Sequence, residues 1–178
     1  WQWAVEQCQI EALSQSVATV SAFYEFVGFF REAENVLGSA LVQVRRLLAQ
    51  HPERLPELSS LIGRILSEQS GFCGHLADFE RAKALAQETI ALGEATQNFY
   101  VRIDGHRRLC GFLRDTGELS QAQKESEIAL QLAREHNIPY LEALSLHNLA
   151  GIFYNQGEFQ AAQVLYKEAI LLARQIQD

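Results

Sequence analysis

Between Ala143 and Ile170 the apolar residues fall three and four apart. Leu146, Leu149, Ala150 and Phe153 form one set. After the polar break Asn155-Gln156-Gly157-Glu158, Phe159, Ala162, Tyr166 and Ala169 form a second. That spacing predicts two helices, each with one apolar stripe. A glycine inside a polar tetrapeptide marks a stop and a restart. Ala150 and Ala162 are small where antiparallel helices would cross, because a larger side chain holds backbones apart.

The same order recurs 40 residues upstream as His106, Leu109-Cys110, Leu113, Gly117, Leu119, Ala122, Ser126 and Ala129. Another 40 back it reads Leu66, Gln69-Ser70, Cys73, Ala77, Phe79, Ala82, Ala86 and Thr89. A fourth copy is Val17, Val20-Ser21, Tyr24, Gly28, Phe30, Ala33, Leu37 and Ala40, with extra residues before the next copy around Pro52 and Pro56. This succession resembles the tetratricopeptide repeat (TPR), a family of helix-turn-helix units. Gln69, Ala77 and Ser126 depart from the family pattern, and His106 stands where it has an apolar residue.

The resemblance implies an all-α fold, a right-handed α-solenoid of about four helical hairpins plus a partial N-terminal helix. Residues 1–178 form one repeat domain: 1–10 as the remnant of a preceding repeat, 11–50 as repeat 1, 51–57 as a loop, 58–95 as repeat 2, 98–135 as repeat 3 and 139–176 as repeat 4. Asp78 is a predicted N-cap and Pro139 a predicted first-turn residue. Apolar residues cover most of the circumference of the last helix. A solenoid normally finishes with a polar cap. The bare end, and the absence of methionine, read as a piece of a longer protein or as a surface for self-association.

Composition narrows the function classes. Of 178 residues 48% are hydrophobic and 21% charged, which is ordinary for a folded, helix-rich chain. The formal charge of −7 argues against direct nucleic-acid binding and against binding to an anionic membrane surface. No apolar run reaches the length of a membrane span. Cys8, Cys73 and Cys110 have no metal-ligand spacing and read as free thiols in a reducing, cytoplasmic setting. His106 and Cys110 are four apart, but two ligands do not make a zinc site. No catalytic motif, phosphate loop or calcium loop is present. The expectation is a protein without enzyme activity, cofactor or metal.

In the TPR family the first helix of each hairpin lines the concave face. By that resemblance the binding residues are Arg64, Arg107, Arg108, Gly111, Arg114, His147, Asn148, Gly151, Tyr154 and Asn155. Arginine forks suit carboxylates, and asparagine can satisfy a peptide backbone. They compose a groove for an acidic peptide, unless the arginines pair locally with Asp104 or Asp115. One inward position is small throughout (Ala22, Gly71, Gly111, Gly151), either as a floor for a ligand or for close helix packing. The 40-residue unit resembles arrays that serve as sensor or partner-binding arms of bacterial signalling and transcription regulators. A protein- or peptide-binding scaffold is therefore expected. The alternatives are a small-ligand sensor, for an oligosaccharide for example, and a homo-oligomer joined through the uncapped C-terminal helix.

Overall fold

The computed structural model describes residues 1–177; Asp178, where the predicted domain ends, lies outside the described residues. Among the described residues the chain forms nine α-helices and no strand. They are α1 (Gln2–Glu6), α2 (Ile10–Val27), α3 (Phe30–Gln50), α4 (Leu55–His75), α5 (Phe79–Thr96), α6 (Phe99–Asp115), α7 (Leu119–Glu135), α8 (Pro139–Asn155) and α9 (Phe159–Gln177). From α2 onward they pair as four hairpins, and each hairpin packs on the next. The protein is an α-solenoid.

The small residues sit at the helix crossings. Ser21, Ser70, Cys110 and Ala150 on the first helices, with Ala33, Ala82, Ala122 and Ala162 on the second, are at most 3% exposed. Close approach of the two backbones leaves them no solvent. The turns within hairpins use a left-handed residue: Gly28, Gly117 and Gly157 have φ of 74°, 84° and 83°. Glycine takes that conformation without a Cβ clash. Ala77 holds the same place at φ 59°, and Gln97 and Asn137, both at 52°, close the turns between hairpins. Asp78 caps α5, its carboxylate accepting from the Arg81 amide at 3.3 Å.

The expected loop over 51–57 is shorter in the structure. Pro52–Arg54 make a single 3-10 turn and α4 begins at Leu55, with Pro56 in its first turn. Proline there loses no helical hydrogen bond, so it starts the helix rather than interrupting the chain. At the other end, α1 packs against α2 and α3, burying Ala4 and Val5. The turn after it holds Cys8, whose φ of 48° matches the Gln97 and Asn137 turns. In register, α1 corresponds to the last turns of a hairpin's second helix.

The curvature follows from which helices touch. Each first helix contacts the next (α2 with α4, α4 with α6, α6 with α8), whereas no two second helices approach as closely. The stack therefore closes on the α2–α4–α6–α8 side, which is the inner face. On the outer side, salt bridges span neighbouring hairpins, among them Arg81–Glu34 at 2.7 Å, Lys83–Glu118 at 2.6 Å and Arg134–Glu168 at 2.7 Å. The exposed Arg134–Glu168 pair contributes little, roughly 0–1 kcal/mol.

Candidate functional site

A recess on the inner face lies across α4, α6 and α8, with a volume of about 570 Å³. Three of the sequence-predicted residues meet there: Arg64 from α4, and Arg107 and Arg108 from α6. Val101, Leu141 and Leu144 supply the apolar part of the wall. Asn98 fixes the mouth. Its carbonyl oxygen accepts from the Val101 amide (3.3 Å) at the start of α6, and its Nδ2 donates to Ser60 Oγ on α4 (2.8 Å).

Two of the three arginines are already committed. Arg107 donates to Asp104 Oδ1 from Nε (3.0 Å) and Nη2 (2.5 Å). Arg108 donates from Nε to Ser67 Oγ (2.9 Å) and from Nη2 to Glu68 (3.3 Å), so it bridges α6 to α4. Ser67 also donates to the second oxygen of Asp104. Burial by itself would raise the Asp104 carboxyl, but Arg107, Arg108 and Ser67 outweigh it and hold the acid below its ordinary value. This network is internally satisfied. Arg64 differs: it is exposed, donates to the Ser14 carbonyl at 2.8 Å, and has no carboxylate partner among the described residues.

The other sequence-predicted residues are spread along the face. Arg114, near the end of α6, is held by Asp115 at 3.0 and 3.1 Å. Asn148 donates to the Arg107 carbonyl at 3.2 Å, a tie between α8 and α6. His147 stands edge-on to Tyr166 of α9 (5.3 Å between ring centres), and Tyr154 edge-on to Phe159 (5.3 Å). Asn155 is exposed at the end of α8. The small inner positions divide. A methyl group at Gly71 would meet Arg108 Nη1 at 2.8 Å and one at Gly151 would meet Arg114 Nη1 at 3.2 Å, so both make room for an arginine of α6. Gly111 has nothing within 4 Å and faces open space.

Tyr100 and Tyr140 are the residues that sequence reasoning missed. They are 64% and 61% exposed and both line the recess. Each is the second residue of its helix, and they stand one 40-residue period apart. That period was the available signal, but the position lies outside the repeat pattern, which marks buried places. His106, the polar intruder among core positions, is buried with Nδ1 2.6 Å from Glu125 Oε2 across α6 and α7. Among the described residues no three His, Cys, Asp or Glu side chains gather to hold a metal ion. Burial pushes the Cys73 and Cys110 thiols up to about 11, so both stay protonated at neutral pH.

No protein-family model and no curated protein sequence matches the chain. Solved structures do match it. The apo form of RapI is similar over 95% of this chain, with a TM-score of 0.72 and 15% identity; the chain spans 58% of the length of RapI. BtubC (BKLC) from P. vanneervenii is similar over 99% of this chain and 86% of its own, with a TM-score of 0.58 and 17% identity. Nearly identical TPR-like repeats of a Podosopora anserina protein named for kinesin light chain match over 99% of this chain and 92% of theirs. There the TM-score is 0.62 and the identity 17%. The chain has the TPR fold. Its motif positions occupy the places the TPR pattern requires, and the recess lies on the face that the first TPR helices share.

Proposed function

We propose that this chain is a non-enzymatic binding module that holds a peptide, or a segment of another protein, along its inner face. The observation that carries the proposal is the 570 Å³ recess, which combines an apolar wall, two exposed tyrosines and one arginine without a carboxylate partner. An apolar or aromatic side chain of the partner sits between Tyr100 and Tyr140, where ring faces supply contact area at low entropic cost. An acidic side chain of the partner reaches Arg64, which keeps N–H groups available for a bidentate pair. Arg107 and Arg108 shape the site by holding Asp104 and Glu68. The module works as the sensor or partner-binding arm of a larger bacterial signalling regulator, a reading supported by the fold likeness to RapI. Three free thiols, two of them buried, support a cytoplasmic setting.

Titration calorimetry with acidic peptides that carry one aromatic residue tests this reading. Binding should weaken as salt rises, and Arg64→Glu with Tyr140→Ala should reduce it by at least about tenfold, equivalent to roughly 1.4 kcal/mol. Unchanged affinity in that double variant would reject the inner-face site. Reversal at Arg107 is a poor probe, because a glutamate beside Asp104 would place two carboxylates together and disturb the fold.

A second reading has one observation in its favour. The recess falls within the size range of small-molecule sites, and paired tyrosines also stack on sugar rings. A neutral oligosaccharide would then bind without salt dependence, and Arg64→Glu would leave its affinity unchanged.

A further inference from the structure

Two departures from the repeat pattern meet on the outer side of the first two hairpins. Gln69 of α4 stands where the other first helices have Val20, Leu109 and Leu149. It is 4% exposed, and its Oε1 has no hydrogen-bond partner among the described residues. Gly38 of α3 stands where the other second helices have Gln87, Glu127 and Lys167. A methyl group at Gly38 would lie 3.1 Å from Gln69 Nε2, so the missing side chain is what leaves this amide uncovered.

Each departure is unfavourable by itself. A buried amide without a partner has lost its hydration for nothing, and glycine inside a helix costs chain entropy. Both residues line one recess of about 400 Å³ within the stack, walled by α3, α4 and α5. Leucine at 69 and a longer residue at 38, as in the later hairpins, would close it. Unfavourable choices that coincide around one recess point to a ligand rather than to packing.

The other walls are Asn35, Ser39, Gln43 and Val42, with Arg81 held by Glu34 at 2.7 Å. The recess is therefore polar, and its two charges pair with each other. None of the described residues that line it has an aromatic ring for a sugar to stack on. Amides and a hydroxyl set donors and acceptors side by side. We propose that this recess binds a neutral carboxamide, whose N–H donates to Gln69 Oε1 and whose carbonyl accepts from Gln69 Nε2. The last torsion of glutamine is soft, and Gly38 leaves the room in which the amide turns to present both atoms. A carboxylate of the same shape offers acceptors only and would set a charge against Oε1. Free glutamine and a glutamine side chain of a peptide share the required chemistry.

NMR of the whole chain labelled with nitrogen-15 tests the proposal through the side-chain amide signals of Gln69, identified by their loss in Gln69→Leu. The probes are L-glutamine and N-acetylglutamine methylamide, and the controls are the corresponding glutamate compounds. At least one amide should shift those signals saturably and bind at least about tenfold more tightly than its acid. Saturation by the free amino acid alone makes a small molecule the ligand, and saturation by the capped form a peptide side chain; either supports the carboxamide site. Gln69→Leu and Gly38→Gln each install the residue found one hairpin on, and circular dichroism should show both folded. Followed through the Ser39 backbone amide, each should weaken binding at least about tenfold. Arg64→Glu on the inner face should leave it unchanged, which separates this site from the other recess. If neither amide shifts the Gln69 signals, the side chain meets only water and the proposal fails. Equal binding of amide and acid, or undiminished binding by the Gln69→Leu chain, would overturn it too.

Discussion

Asp104 shows how a charged residue becomes part of the inner wall. Arg107, Arg108 and Ser67 hold it ionised despite its burial. Its folded pKa is lowered, so its contribution to stability is present above the unfolded value of about 3.9 and is lost as pH falls through the folded one. Denaturant midpoints at pH 7 and below pH 4 should therefore fall further for the wild type than for Asp104→Asn. Ala77 carries a different burden. At φ 59° its Cβ crowds the following carbonyl, at a place where three other hairpins have glycine. Ala77→Gly should raise stability by roughly 0.5–1 kcal/mol in urea unfolding, the relief of strain exceeding the extra chain entropy of glycine. The sequence marked Ala77 as a departure from the pattern, but only the turn geometry gives the departure an energetic sign.

Element boundaries were largely legible because caps and breakers act locally. Pro139, expected in a first turn, is the opening residue of α8. The start of α4 was misplaced because a proline reads as a stop until its position within the first turn is known. Helix contacts were less legible. Gly93 sits where the next repeat has Ala133, and a methyl group there would lie 2.5 Å from the Arg102 backbone nitrogen. The α5–α6 approach is thus closer than the repeat pattern implies. Gly93→Ala should cost about 1–3 kcal/mol by overpacking, visible as a lower thermal midpoint.

Across the whole molecule, stability is a sum over neighbouring hairpins rather than the property of one core. The apolar clusters run in series, from one around Leu13, Leu37 and Leu58 to one around Leu130, Leu146 and Ala169. Among the described residues α9 packs on α8 alone, and α1 on α2 and α3 alone. Amide exchange should therefore be slowest in α6 and α7 and fastest in α1 and the last turns of α9, measured by mass spectrometry. Uniform protection along the chain would contradict that gradient.

The repeat, the helical class and the crossing residues were determined by the sequence alone, since a 40-residue period of large and small side chains has few other ways to bury its apolar stripes. The tertiary structure decided what the inner face offers. An arginine's sequence position does not tell whether a carboxylate from its own or a neighbouring helix will reach it. Arg107 and Arg108 are taken by Asp104 and Glu68, whereas Arg64 is not. Tyr100 and Tyr140 line one recess through the curvature that brings α4, α6 and α8 together, a relation between helices that no single stretch of chain encodes.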